Sequence, residues 1–153
     1  MTAQFRVRPV HSTEADHLLH LSDAYMDSLY PAESNHLVSP DELRQKAIIF
    51  LGGFCDQTCV GCVALMAGHK PSHAEVKRLF ITQDARGHGF ARKLMEQLES
   101  AAVQQHISCL QLETGIHQPA SHALYVSMGY QQIPPFGAYQ ADPLSMFFEK
   151  QLS

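Results

Sequence analysis

The chain has 153 residues, 45% of them apolar, which suits one domain with a hydrophobic core, so we expect a single domain over residues 1–153. No apolar run reaches the length of a membrane span and the N-terminal residues lack the apolar centre of a signal peptide, which predicts a cytoplasmic protein without membrane contact. The net charge of -4 argues against nucleic-acid binding, which usually requires a basic surface.

The four cysteines do not form a recognisable metal-binding pattern. Cys59 and Cys62 have C-x-x-C spacing, but Cys55 and Cys109 supply no second pair at zinc-site spacing. The period of two in a strand places Cys59 and Cys62 on opposite faces. We therefore interpret them as core residues and expect no metal.

The sequence up to residue 46 predicts a strand, a helix, a loop and a short second helix. Residues 5–10 alternate in polarity as a strand does, and Thr13 with Asp16 forms a capping-box pattern that starts the following helix. Residues 30–40 are bounded by two prolines and predict a surface loop. The second helix is expected over 40–46.

Three strand-like segments follow, and a glycine turn then leads into a long amphipathic helix. The segments cover 47–55, 59–67 and 73–82. From Phe90 onward apolar residues recur at helical spacings, which predicts a helix that begins near Gly87.

The turn before this helix has the composition of a phosphate-binding site. The first turn of a helix has unpaired backbone N–H groups and the positive end of the helix dipole, so it binds anions readily. Gly87 and Gly89 leave the backbone accessible to a phosphate, and Arg86 and Arg92 flank them. The turn lacks the Gly-Lys-Ser/Thr of a P-loop and the third glycine of a dinucleotide fingerprint. We therefore interpret it as a cradle for a different phosphate-bearing cofactor, with a glycine-capped helix start as the alternative interpretation.

The last third of the chain predicts a strand, a helix and two closing strands. The strand is expected over 108–114, and the helix over 119–128, with proline in its first turn and Gly129 just after its end. The closing strands are expected over 130–133 and 145–152.

The motif Arg86-x-x-Gly89-x-Ala91, with the strand before it, resembles the Arg/Gln-x-x-Gly-x-Gly/Ala signature of the GNAT superfamily of acetyl-CoA-dependent N-acetyltransferases. The order of the predicted elements is also the order found in GNAT folds. This resemblance implies an α+β fold whose mixed, mostly antiparallel sheet has about seven strands, is splayed in the middle and is flanked by about four helices.

The C-terminal half resembles the superfamily as well. Residues 110–113, 118–125 and 128–130 look like its L-x-L-E, N-x-x-A-x-x-L-Y and G-F elements, with Gln118 where asparagine is commoner. Gln retains the side-chain amide, so cofactor binding is still expected. The tail looks like that of a bacterial subfamily of small acetyltransferases whose substrate is unassigned.

The resemblance implies that acetyl-CoA binds as a co-substrate along the central strand and the glycine turn. In GNAT folds this strand splays from its neighbour, often at a bulge, and its free edge bonds the pantetheine arm. A backbone N–H of Leu79 or Phe80 would then stabilise the carbonyl oxygen. The expected cofactor-binding residues are Leu79, Phe80, Ile81, Arg86, Gly87, His88, Gly89, Phe90, Ala91, Arg92 and Gln118.

Three residues match catalytic positions of the superfamily. Tyr125 matches the usual acid that protonates the departing thiolate, with a buried core aromatic as the alternative interpretation. Glu75 matches the general base of the branch that acetylates histones, and Glu113 matches that of the branch that acetylates ribosomal proteins. Either carboxylate could instead pair with a neighbouring basic residue. We favour Glu75, because a carboxylate four residues before Leu79 would lie on the same face as the carbonyl donor.

The acceptor is expected between two proline-bearing loops that carry Glu33, His36, Tyr139 and Asp142. Acidic loops suit a cationic amine, so we predict direct acetyl transfer to a primary amine of a small molecule or an amino acid. A protein N-terminus or lysine is favoured less, and a homodimer is left open. The rival interpretation is a catalytically silent acyl-CoA-binding sensor. That rival is favoured if all three acid and base candidates lie outside the cofactor pocket.

Overall fold

A computed structural model describes residues 4–11 and 13–152. These residues form seven strands and four α-helices. None of the helices in these two ranges is both long and apolar enough to traverse a bilayer. In chain order the elements are β1 (Phe5–Pro9), α1 (Asp16–Leu29), α2 (Pro40–Lys46), β2 (Ala47–Cys55), β3 (Thr58–Ala67), β4 (His73–Ile81), α3 (Phe90–Gln104), β5 (Cys109–Gly115), α4 (Pro119–Ser127), β6 (Gln131–Ile133) and β7 (Ser145–Gln151).

The strands form one mixed sheet in the order β1-β2-β3-β4-β5-β7-β6. Only the β4–β5 pair of this described sheet is parallel. Helices α1 and α2 pack on one face of the sheet, and α3 and α4 pack on the other. Adjacent residues of β3 therefore lie in different core clusters, because Val63 packs with Leu94 of α3 and Ala64 packs with Leu18 of α1. The predicted α+β fold is confirmed.

The sheet opens between β4 and β5. These strands pair only from His73 to Glu75, opposite Cys109 to Gln111. Farther along β4, the residues Arg78 and Leu79 together oppose a single residue of β3, and Arg78 has a φ of 63°. This is a β-bulge, which bends β4 away from β5. The splay implied by the resemblance is therefore present, and it creates the space for the site described below.

The predicted cap of α1 is wrong. Its N-cap is Ala15, which makes no side-chain cap bond, and Thr13 contributes only its backbone carbonyl, to the N–H of Asp16 at 3.1 Å. The carboxylate that caps this turn belongs to Glu14, which accepts a hydrogen bond from the His11 N–H at 3.0 Å.

Helix α3 begins at Phe90 rather than near Gly87. Gly87 and Gly89 have φ values of 83° and 77°, which a right-handed helix cannot contain, and Gly89 is the N-cap. The glycines therefore form a separate turn in front of the helix.

The prediction that Cys59 and Cys62 face opposite sides of the sheet is also wrong. The register between β2 and β3 shifts by one residue, which leaves Val60 unpaired on β3. As a result, both cysteines pack with the cluster beneath α1 and α2. Cys62 is buried and Cys59 half-buried, in keeping with a packing role.

Candidate active site

Three cavities lie along β4. We name them the glycine-turn cavity, of about 390 Å³, the central cavity, of about 70 Å³, and the loop pocket, of about 720 Å³. The central cavity shares Leu79, Gln118 and Ser121 with the glycine-turn cavity, and it shares His36 with the loop pocket. The central cavity therefore adjoins both of the larger ones.

The glycine-turn cavity gathers nearly all of the predicted cofactor-binding residues. His88 is the exception, because its exposed ring instead lies beside Phe90, with 5.5 Å between ring centroids. The predicted residues that line the cavity are Leu79, Phe80, Ile81, Arg86, Gly87, Gly89, Phe90, Ala91, Arg92 and Gln118.

The glycine turn is open to an incoming anion. A Cβ atom placed on Gly87 or Gly89 would meet nothing within 4 Å, so the space over the turn is free. No described side chain caps α3, and its first turn carries no acidic residue. Its first N–H groups and positive dipole end can therefore bind a phosphate-bearing group, and the turn fits the pyrophosphate of an acyl-CoA.

Two arginines are held beside this turn by specific contacts. The Nε of Arg86 donates to the carbonyl of Ile81 at 3.0 Å, and its guanidinium lies 5.0 Å from the ring centre of Tyr25. Arg92 donates a hydrogen bond to the hydroxyl of Ser127. Both positive charges therefore stay close to the place where an anion would bind.

Gln118 orders the loop between the glycine-turn cavity and the central cavity. Its Oε1 accepts hydrogen bonds from the Gly115 N–H and from the Tyr30 hydroxyl, each at 3.3 Å. The Tyr30 hydroxyl also accepts from the His117 N–H at 3.0 Å. Sequence reasoning missed Tyr30, because the contact joins residues 88 positions apart.

Tyr125 and Glu113 both line the central cavity. Tyr125 is only 5% exposed, and burial together with the charge of Glu113 raises its pKa well above the usual value. Burial also raises the pKa of Glu113, although the Ser145 hydroxyl, which donates to it at 2.8 Å, opposes the rise. At neutral pH Tyr125 is therefore a proton donor, and Glu113 holds its proton more firmly than an ordinary carboxyl.

Glu75 lines the loop pocket and is bonded to two side chains from different parts of the chain. Its Oε2 accepts from the Tyr139 hydroxyl at 2.5 Å and lies 3.2 Å from the Nζ of Lys77. Lys77 also donates to the Tyr139 hydroxyl and to the His36 carbonyl oxygen, the latter at 3.0 Å. Burial and the charge of Glu75 raise the pKa of Tyr139, so its hydroxyl stays protonated and holds the carboxylate in place.

The prediction that Glu75 and Leu79 share one strand face is wrong. Leu79 packs in the cluster beneath α3, whereas Glu75 contacts Tyr139 on the other face. The bulge at residues 78 and 79 adds one residue to β4, which reverses the alternation beyond it.

The loop pocket collects every residue predicted for the acceptor side, namely Glu33, His36, Tyr139 and Asp142. Asp142 also ties the two loops together, because its carboxylate accepts from the Ser34 hydroxyl at 2.7 Å and from the Leu144 N–H at 2.8 Å. These bonds lower the pKa of Asp142.

None of the three acid and base candidates lines the glycine-turn cavity. Glu113 and Tyr125 line the adjoining central cavity, and Glu75 lines the loop pocket. All three therefore lie on the acceptor side of the space predicted for the cofactor.

A separate group of potential metal ligands was not foreseen. The ligand atoms of His73, Cys109 and Glu149 lie within 4.8 Å of one another, on three neighbouring strands far apart in sequence. Glu149 accepts a hydrogen bond from Gln111 at 2.9 Å, and burial raises the pKa of the Cys109 thiol to about 11. The absence of a metal remains a prediction.

The chain is similar in sequence to known acetyltransferases. The sequence model of the acetyltransferase (GNAT) family matches residues 15–130. The IAA acetyltransferase of Azospirillum brasilense is 43% identical over 130 residues, which are 85% of each chain.

Solved structures show the same relationship. A proposed acyl-CoA N-acyltransferase from Klebsiella pneumoniae superposes with a TM-score of 0.82 at 34% identity, over 98% of this chain and 99% of that one. The PaiA N-acetyltransferase of Thermoplasma acidophilum, solved in complex with coenzyme A, shares the fold at 16% identity, with a TM-score of 0.72 over 97% of this chain and 99% of that one. The family match and the similarity to these relatives show that the chain belongs to the acetyltransferase (GNAT) family.

Proposed function

We propose that this acetyltransferase moves an acetyl group from acetyl-CoA directly to a primary amine of a small molecule, while both are bound. The observation that carries the proposal is the central cavity, because it adjoins both the glycine-turn cavity and the loop pocket. Direct transfer needs such a junction, where the acyl carbon and the amine can approach each other.

The donor belongs in the glycine-turn cavity. Acetyl-CoA supplies the acetyl group as a reactive thioester. The start of α3, with Arg86 and Arg92, would hold its phosphates, and the free edge of β4 would bond its pantetheine arm. A backbone N–H of Leu79 or Phe80 at the bulge would stabilise negative charge on the carbonyl oxygen.

The acid acts at the junction, and the base acts on its acceptor side. An alkylammonium has a pKa near that of lysine, about 10, so the amine must lose a proton before it can attack at neutral pH. Glu75, on the acceptor side, accepts that proton directly or through a water molecule, and Tyr125 donates the proton that the leaving sulfur gains. Glu113 is the second candidate base, because it lies beside Tyr125.

An enzyme accounts for this arrangement better than an acyl-CoA sensor does. The three candidates do lie outside the glycine-turn cavity, which was the condition set for the sensor. However, an acid and a base that serve the thioester carbonyl belong where donor and acceptor meet, rather than along the body of the cofactor. A sensor would need neither an acid nor a base beside the thioester.

The pH dependence of kcat/KM tests the assignment of the base. The rate rises with pH as the working carboxylate loses its proton. Glu75→Gln is expected to flatten this acidic limb and to lower kcat about 100- to 10,000-fold, with acetyl-CoA affinity unchanged. Glu96→Gln, an exposed site on α3, serves as the control and should behave like the wild type.

Glu113→Gln separates the two candidates. If this variant flattens the limb instead, Glu113 is the base and Glu75 is a structural partner of Lys77 and Tyr139. In that case the acidic limb of the wild-type pH profile should also lie at a higher pH than an ordinary carboxylate would give, because burial raises the pKa of Glu113.

A further inference from the structure

The loop pocket has an acidic lining that also includes two histidines, His36 and His69. Three carboxylates line it, from Glu33, Glu75 and Asp142. Among the described residues, no lysine or arginine lines this pocket. A substrate amine is attracted to such a lining, whereas a substrate carboxylate finds only like charge.

Two cations, Lys77 and Arg78, line the adjoining central cavity, and both are already paired with carboxylates of this chain. The Nζ of Lys77 lies 3.2 Å from the Glu75 carboxylate and donates to the Tyr139 hydroxyl. The guanidinium of Arg78 lies 2.7 Å from Asp23, and its side chain is only 1% exposed. Neither cation is therefore placed to bind the carboxylate of a substrate.

The rest of the lining includes a group of aromatic rings. Phe136 lies between Tyr139 and His69, with ring centroids 5.1 Å and 6.2 Å away. All three of these residues line the loop pocket. An aromatic wall next to carboxylates suits an amine with an aromatic body, because the rings attract both the cation and an apolar surface.

We infer that the acceptor is an aralkylamine that carries no carboxylate, and not a free amino acid. This inference rests on the proposed function and narrows its substrate class. Its physical basis is that an amino acid would bring its own carboxylate close to three others, in a pocket with no free cation to offset the repulsion.

Matched pairs of acceptors test the inference. Acetyl transfer is measured with phenylethylamine against phenylalanine, tryptamine against tryptophan, and tyramine against tyrosine. The assay is run at about pH 8.5, where an ordinary imidazole is neutral and so supplies no positive charge to a carboxylate. In each pair kcat/KM is expected to be about 10- to 100-fold higher for the amine. In phenylalaninamide an uncharged carboxamide replaces the carboxylate of phenylalanine, so its kcat/KM should be close to that of phenylethylamine.

A charge reversal in the pocket tests whether the acidic lining causes the preference for amines over amino acids. Glu33 is exposed at the rim, so Glu33→Lys should fold normally and narrow the preference for amines by about tenfold. Glu96→Lys makes the same change on α3, across the sheet, and should leave the preference as it is.

Amino acids that react as well as the amines would overturn the inference and leave the transferase activity standing. A Glu33→Lys enzyme with unchanged selectivity would equally overturn it. An enzyme that binds acetyl-CoA but acetylates none of these compounds would count against both the inference and the proposed function.

Discussion

At the scale of single residues, Tyr125 is the side chain that we propose protonates the leaving sulfur. Its ring is buried in the core, near Tyr130 and Phe148, while it also lines the central cavity. The raised pKa keeps its hydroxyl protonated, which an acid for the leaving thiolate requires. A core aromatic and a general acid are therefore compatible descriptions of the same side chain.

Tyr125→Phe keeps the ring and removes only the hydroxyl. We expect kcat to fall about 10- to 1,000-fold while acetyl-CoA affinity stays unchanged, because the hydroxyl is needed only when the thiolate leaves. Steady-state kinetics and a binding titration check both parts. A Tyr130→Phe variant is the control and should retain its kcat, because the Tyr130 hydroxyl donates to Glu99 at 2.8 Å and the residue lines none of the three cavities. Full turnover in Tyr125→Phe would mean that another group protonates the sulfur.

Single residues could be predicted from the sequence where a local motif marks them. The glycine turn and Tyr125 lie in such motifs, and the structure brings the turn to one cavity and Tyr125 to the next. The ion pair of Glu75 with Lys77 was among the alternatives that the sequence left open, but the bond to Tyr139 could not be predicted in the same way. Tyr139 is 64 residues from Glu75, and only the folded sheet brings them together.

At the scale of elements, the glycine turn and the bulge of β4 shape the cavities in which we propose that the substrates bind. The two turn glycines have a left-handed backbone and an open space above them. Arg78 has a positive φ without being glycine, and its buried guanidinium is held by an ion pair with the partly exposed Asp23 and by a hydrogen bond to the Val38 carbonyl oxygen.

Gly89→Asp tests the turn. The new side chain would place a negative charge where a phosphate is expected, so acetyl-CoA should no longer raise the melting temperature. Gly129→Asp is a matched control, because Gly129 also has a positive φ, of 94°, but lies outside the glycine-turn cavity. Both variants should be less stable, and only Gly129→Asp should keep the thermal shift. An intact shift in a folded Gly89→Asp protein would contradict the cofactor assignment.

Element types could be predicted from the sequence more reliably than strand faces. Hydrophobic periodicity located the strands and helices to within a few residues. The predicted strand faces of Cys62 and Leu79 were wrong for the same reason, because a bulge lies at or just before each of them in its strand. A bulge changes the alternation of side chains without leaving a clear signal in the residue pattern.

At the scale of the molecule, the sheet splays between β4 and β5, and the proposed donor and acceptor cavities lie along β4. The order of predicted elements and the motifs were enough to indicate the family, which the relatives confirm. The acceptor class could not be read from the sequence, because the loop pocket is built from segments near residues 33, 69, 75 and 139. Its charge balance becomes visible only after folding.

The central claim is direct acetyl transfer to a small primary amine. The most direct measurement is an initial-velocity study with acetyl-CoA and the best acceptor from an amine panel, with mass spectrometry of both the acceptor and the protein. Direct transfer predicts intersecting lines in double-reciprocal plots of the initial velocity, an acceptor heavier by one acetyl group and a protein of unchanged mass. Parallel lines with an acetylated protein, or bound acetyl-CoA with no acetylated amine across the panel, would contradict it.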